Sequence, residues 1–279
     1  MMVRELLHFG TSSLAEKGVE TPFLDATVLL AHAFGSTKER LFSSLPDMVA
    51  ETVEAVFRGF LELRFKGIPV AYIRKKKEFF GLEYYVDERV FVPRPDTETL
   101  VEAALRLIQA EPWIKDVHDA CTGSGCVAIA LKHECPFLNV SASDISENVE
   151  SVFKINCHNI LGHEIPFSLS RLLFNVRGSF DMIVSNPPYL TDSEVKTMQS
   201  AGWPEPALAL QGGTEGLDIL IELIKAAMAS LKKGGSLVME ASPGQMPVLQ
   251  KYLKEAGYVH ILLVKDLGGR DRVISGKKR

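Results

Sequence analysis

Two hydrophobic periods divide the chain. Through about residue 75 the apolar positions recur every three to four residues, the period of helices that bury one face. Val3 to Lys17 reads as a helix ended by Gly18, and Phe23 to Phe34 as a second, opened by Thr21-Pro22 and stopped by Gly35. Ser36 to Leu45 gives a shorter helix. Val49 to Lys66 gives a longer one, with Val53, Val56, Phe57, Phe60 and Leu61 on one face. These make a small four-helix unit. From Glu78 the pattern changes. Phe79 to Val92 carries aromatic and β-branched runs broken by Gly81 and Asp87-Glu88, which predicts a hairpin joining two domains. Pro93-Arg94-Pro95 ends it, and Asp96 or Thr97 is positioned to cap a helix from Glu98 to Ile108.

Beyond Val117, short β-rich runs alternate with helical ones, the pattern of a doubly wound sheet. Strands are predicted at Val117–Cys121, Asn139–Ser143, Phe167–Leu172, Phe180–Ser185 and Gly235–Ala241, with helices between them. Ser146 caps one of these helices, running to about Asn159, and Gly216 to Leu231 is a long apolar one. Tyr258–Lys265 and Arg272–Ser275, separated by Gly268-Gly269, close the chain as a hairpin after a helix over Gln245–Ala256. An antiparallel last strand on a parallel sheet follows. The predicted architecture is α/β: a Rossmann-like, mixed seven-stranded sheet over 96–279, a linking β-hairpin over 76–95, and a helical domain over 1–75.

The apolar run ending at Ser185 leads straight into Asn186-Pro187-Pro188-Tyr189. Two prolines remove two N–H donors and stop the strand, and Asn186, preceding a proline, is held extended. The Asn186 amide and the carbonyls of Asn186 and Pro187 are thereby left free at the carboxyl end of a strand, where open α/β sheets bind ligands. Two acceptors and the flat face of Tyr189 suit a planar NH2 group. The plainer reading of Asn-Pro-Pro is a turn that ends a strand.

Thr122-Gly123-Ser124-Gly125 joins the first strand of the sheet to a helix, a turn that lets backbone N–H groups approach a ligand. Asp144 follows 19 residues after Gly125, at the end of the next strand, where a carboxylate can take both hydroxyls of a ribose. The turn lacks the third glycine of a pyrophosphate fingerprint, and Asp119 places an anion beside it. A carboxylate repels a pyrophosphate but attracts the ammonium of a methionine moiety, so S-adenosylmethionine fits better than NAD. The alternative is that Asp119 only caps the turn.

Composition narrows this further. A hydrophobic fraction of 46% and a charged fraction of 24% are those of a soluble globular protein. No run reaches the length of a membrane helix and no signal peptide opens the chain, which implies a cytoplasmic protein. Cys121, Cys126, Cys135 and Cys157 then read as reduced thiols, and their spacing with the histidines matches no zinc pattern, so no metal is expected. Net charge is −4, and residues 1–90 hold 12 basic against 13 acidic side chains. Neither favours a binder driven by phosphate attraction. Arg74-Lys75-Lys76-Lys77 is a local exception, read as a solvated face or a partner patch.

Several stretches together resemble one family. Arg64 to Ile73, Pro93-Arg94-Pro95-Asp96-Thr97-Glu98, Thr122-Gly123-Ser124-Gly125, Asp144, Asn186-Pro187-Pro188-Tyr189, Glu205-Pro206 through Gly212-Gly213 and Asp266 to Arg272 occur in the order seen in the release-factor glutamine N5-methyltransferases, PrmC or HemK. The likeness is close over about residues 60 to 275, and earlier it is one of helical arrangement. It implies a class I methyltransferase domain that uses S-adenosylmethionine to methylate the Gln of the Gly-Gly-Gln loop of peptide-chain release factors. The N-terminal helices would dock that partner, with a monomer acting and neither membrane nor nucleic acid involved. By the same resemblance, Asp119, Cys121, Thr122, Gly123, Ser124, Gly125, Asp144, Leu173 and Asn186 bind the cofactor. Arg94, Asn186, Pro187, Pro188 and Tyr189 bind substrate, and Asn186, Pro187 and Tyr189 are catalytic. Departures stand at Cys121, where a glycine is usual, so that the loop is expected tighter or reshaped. Leu172 replaces an acidic residue beside an adenine contact, and Ala241-Ser242 a more common His-Gly pair. Two rivals stay open: an adenine-N6 or guanine-N2 nucleic-acid methyltransferase, whose exocyclic amine suits the same motif, and a cofactor-binding adaptor with a vestigial site.

Overall fold

The computed structural model describes residues 1–279. Contacts divide the chain into two compact units, Met1–Lys76 with Ser200–Pro204, and Lys77–Gln199 with Glu205–Arg279. No helix is long and apolar enough to cross a membrane.

The first unit is built from α1 (Val3–Glu16), α2 (Pro22–Ala33), α3 (Lys38–Ser43), α4 (Glu51–Phe65) and α5 (Val70–Arg74). The last of these is a single turn absent from the sequence reading. Val3, Leu6, Leu14, Leu29, Leu30, Phe57 and Leu61 are fully or nearly fully buried and form its core. On α4 the expected apolar face narrows: Phe57 and Leu61 are buried, whereas Val56 is 46% exposed. Thr21 opens α2, but its hydroxyl donates to Asp25 at 2.9 Å, and Asp25 also accepts from Arg64 at 2.8 Å. A buried carboxylate thus ties α2 to α4.

The second unit begins with a short hairpin, β1 (Lys77–Phe79) and β2 (Leu82–Tyr84). Then come α6 (Glu98–Ala110), β3 (Asp116–Ala120), α7 (Cys126–Glu134), β4 (Asn139–Asp144), α8 (Glu147–Leu161), β5 (Phe167–Leu169), β6 (Phe180–Ser185), α9 (Asp192–Ser200), α10 (Asp218–Ser230), β7 (Leu231–Glu240), α11 (Met246–Glu255), β8 (Tyr258–Lys265) and β9 (Asp271–Lys278). Seven strands form one sheet in the order β5-β4-β3-β6-β7-β9-β8, parallel except for β9, which pairs antiparallel with both β7 and β8. Every residue of β6 is buried, as a central strand covered on both faces requires. β5 stops at Leu169, three residues early: the Ser170 N–H still donates to the Asp144 carbonyl of β4, but Leu172 takes a positive φ of 50°, which a strand cannot hold.

His118 on β3 lies wholly inside. Its Nδ1 and Nε2 sit 2.8 and 2.9 Å from the Ser141 and Ser143 hydroxyls of β4, and burial pushes its pKa down to about 4. Ser143 donates to the Leu172 carbonyl, so it accepts from Nε2–H, and Nδ1 accepts from Ser141. A neutral imidazole is therefore a structural member of the sheet.

Candidate active site

Strand order reverses between β3 and β6, the place where open α/β sheets form a crevice at the carboxyl ends of their strands. A cavity of about 300 Å³ opens there. Arg94, Asp119, Cys121, Thr122, Gly123, Ser124, Asp144 and all of Asn186–Tyr189 line it. Gly125 and Leu173 do not. Leu173 is 5% exposed and packed in the core beneath β3, β6 and α10. Gly125 has φ +83°, and a Cβ there would meet the Phe153 ring at 2.5 Å, so this glycine serves the approach of α7 to α8.

The β3 and β4 side is held mainly by backbone donors. Asp119 Oδ2 accepts from the Thr122 hydroxyl at 2.6 Å and the Ala128 N–H at 3.2 Å. Asp144 accepts from the Gly123 N–H and the Ser146 N–H, each at 3.0 Å, one on each oxygen. All these partners are neutral. Burial, then the charge of Asp144, raises the Asp119 pKa to about 7, and burial also raises that of Asp144. The two carboxyls are thus hard to ionise and have no cation beside them, a deficit that a positively charged ligand would relieve. Between the carboxylates, Cys121 adopts φ +59°, a left-handed conformation that costs a residue with a Cβ about 1–2 kcal/mol. Its thiol stays neutral, pushed up by burial and by both carboxylates. Ile145, Val149 and Val127 supply an apolar wall.

The β6 side is held by side chains from far along the sequence. Asn186 Nδ2 donates to the Thr97 hydroxyl at 3.0 Å, which leaves its Oδ1 for the cavity. None of the backbone hydrogen bonds ends on the Pro187 carbonyl. The Tyr189 phenol donates to Glu240 at 3.1 Å, and the Tyr189 carbonyl accepts from Gln245 at 2.9 Å. Gln245 also bonds the Gly216 carbonyl. At Gly216, φ is +69° and a Cβ would lie 2.3 Å from the Tyr189 oxygen, so the glycine-bearing segment 212–216 is the backing on which Pro188-Tyr189 rests.

The Pro-Arg-Pro-Asp-Thr-Glu stretch acts as a clasp, not a helix cap. Thr97 ends the short turn Pro95–Thr97 at the N-cap position of α6 but makes no capping bond. Asp96 instead pairs with Arg272 at 2.8 Å, and Glu98 accepts the Phe80 N–H at 2.9 Å. Arg94 lines the cavity but is paired with buried Glu205 at 2.6 Å and stacked on Phe91, its carbon Cζ 4.8 Å from the ring centre. Glu205 further accepts the Val92 N–H. Thr97, Glu205 and Glu240 were not singled out from sequence. Thr97 and Glu205 fall in motif stretches, Thr97 also as a candidate helix cap, whereas Glu240 falls in none.

Comparison with known proteins adds the lineage to this geometry. Residues 5–74 match the PrmC N-terminal domain, and residues 97–202 the methyltransferase small domain. A release factor glutamine methyltransferase of Rhodopirellula baltica is 35% identical, with 99% of this chain and 96% of that protein aligned. One from Deinococcus radiodurans is 32% identical over 100% and 99%. Among solved structures, a methyltransferase from Pyrococcus furiosus shares the fold at a TM-score of 0.52 and 18% identity, over 72% of this chain and 91% of that one. Sequence identity near one third along the full length of both proteins goes beyond a shared sheet: the chain belongs to the release factor glutamine methyltransferase family.

Proposed function

We propose that the protein methylates the side-chain amide nitrogen, N5, of the glutamine in the Gly-Gly-Gln loop of peptide-chain release factors, with S-adenosylmethionine as methyl donor. One observation carries this reading: two unspent acceptors, Asn186 Oδ1 and the Pro187 carbonyl, belong to residues that line the same cavity as Asp119 and Asp144. The relatives' names support the acceptor.

The residues fit the donor. Asp144, fixed by two N–H groups and still carrying free lone pairs, would take the ribose hydroxyls. Asp119 would face the ammonium, and Ile145 and Val149 would pack on the base. When bound, S-adenosylmethionine supplies an electrophilic methyl on a positively charged sulfur.

The acceptor side answers a chemical difficulty. An amide nitrogen is a poor nucleophile because its lone pair is shared with the carbonyl. Asn186 Oδ1 and the Pro187 carbonyl would each bind one amide hydrogen and aim the nitrogen along the transfer line. As the nitrogen gains positive character, these acceptors bind it more tightly than in the ground state. Tyr189, anchored at its phenol and at its carbonyl, holds its ring against the amide plane. The released proton is acidic enough to pass to solvent, so the site uses no dedicated base. Asn186, Pro187 and Tyr189 are thus the catalytic residues, and Pro188 and Arg94 shape the substrate side.

The helical unit docks the release factor, and the protein acts in the cytoplasm as a monomer with no nucleic-acid substrate. Four free cysteines and a net charge of −4 are in keeping with this. The test is transfer of labelled methyl to a purified release factor, its Gln→Ala loop variant and ribosomal RNA. Label on the wild-type factor alone is expected, and label on RNA would overturn the assignment.

A further inference from the structure

A polar chain backs the Asn-Pro-Pro-Tyr loop: Thr97, at the cavity wall, and Glu240, which does not line the cavity. Glu240, the last residue of β7, is 1% exposed and accepts the Tyr189 phenol through Oε1. Its other oxygen, Oε2, is buried and makes no hydrogen bond of good geometry, although the Thr97 hydroxyl lies close enough to favour the charged carboxylate. Thr97 is 1% exposed and sits between this carboxylate and the Asn186 amide.

Hydrogen-bond polarity runs one way along this chain. A carboxylate can only accept, so the Tyr189 phenol gives its proton to Oε1, and the Thr97 hydroxyl can serve the unpaired Oε2 only as a donor. A Thr97 hydroxyl that donates to Glu240 has only lone pairs left for Asn186, and it therefore selects Nδ2–H over Oδ1. Oδ1 must then face the cavity. We propose that Glu240 and Thr97 are positioning residues, which set the amide orientation of Asn186 and the seat of Tyr189 so that an acceptor is presented to the substrate amide. The proposal rests on the glutamine-methylation reading above.

Protonation would reverse the chain. A neutral Glu240 donates to one hydroxyl, and Thr97 can then turn its proton to Asn186 Oδ1, which swings Nδ2 toward the substrate's own NH2. Two donors face each other and the alignment is lost. Burial raises the Glu240 pKa to about 7; Thr97, Tyr189 and the charge of Arg272 lower it, and Asp96 raises it again. Cys126, pushed up to about 12 and so neutral, is the remaining titratable group that senses it.

The test is kcat against pH in the wild type, Glu240→Gln, Thr97→Val and Thr97→Ser, with cofactor affinity measured by calorimetry. The wild type is expected to lose kcat as pH falls through about 7. Glu240→Gln, whose NH2 donates at every pH, is expected to be about 10- to 100-fold slower with that acid limb gone. Thr97→Val is expected to fall similarly and Thr97→Ser to recover to within about threefold. KM for the release factor and cofactor affinity should stay within about twofold of wild type. A wild-type rate with an unaltered acid limb in Glu240→Gln, or a Thr97→Val enzyme as fast as Thr97→Ser, would overturn the proposal. A wild type that binds cofactor but methylates no release factor would instead remove the reading beneath it, and the proposal with it.

Discussion

The two halves of the cavity are supported in opposite ways. On the β3–β4 side, each functional carboxylate is fixed by groups no more than 21 residues away, three of the four being backbone N–H. On the β6 side, Asn186 and Tyr189 are fixed by side chains 89, 51 and 56 residues away. Local backbone support comes with the strand-turn-helix geometry itself and tolerates many sequences. Remote side-chain support has to be assembled by the whole sheet. The first half suits a ligand bound the same way in many proteins, and the second a reaction that needs one amide aimed along one line.

This contrast sets the expected effects. The largest falls on the acceptor half. Asn186→Ala removes one preorganised acceptor and is expected to cost 10²–10³ in kcat, read by single-turnover methyl transfer. Next comes Asp144→Asn, which keeps the shape but loses the charge. It is expected to weaken cofactor binding by about 10- to 100-fold by calorimetry, as for loss of a charged hydrogen bond worth about 1.5–3 kcal/mol. Third is a pH effect on the same half. Asp119 titrates at about 7 in the free protein, against an ordinary value near 3.8, so it is largely protonated below that pH. An ammonium on the ligand favours the charged form, so binding is expected to strengthen as pH rises toward and through about 7, with release of a proton. It should fall by up to about tenfold per unit below, and Asp119→Asn should flatten that slope. The smallest effect is structural. Gly125→Ala sets a Cβ against Phe153 at positive φ and is expected to cost about 1–3 kcal/mol, a drop of a few degrees in Tm.

The same contrast explains what was legible in the sequence. The sheet, its antiparallel last strand and the turn around Asp119–Ser124 followed from strands and glycines close to the residues they serve. Leu173 was assigned by likeness to a cofactor contact, yet in the fold it is core, since positive φ at Leu172 and the early end of β5 turn this segment inward. α9 left little trace because Val195 is its only buried residue, so the chain there carries no apolar period. Asp96 and Thr97 have the residue types of helix caps, and only the folded sheet reveals that Arg272 and Asn186 claim them. Glu240 lies inside the predicted strand Gly235–Ala241, where nothing marked it out. What it holds lies 51 residues earlier in the chain, beyond the reach of any local pattern.

The division of labour between the halves is tested most directly by single-turnover methyl transfer to a release factor across a titration of S-adenosylmethionine, run on Asp144→Asn and Asn186→Ala. Asp144→Asn is expected to reach a plateau within a few-fold of wild type, but only at about 10- to 100-fold more cofactor. Asn186→Ala is expected to half-saturate within about tenfold of the wild-type concentration at a plateau 10²–10³ lower. A low plateau for Asp144→Asn at every cofactor concentration, or a wild-type plateau for Asn186→Ala, would contradict the account.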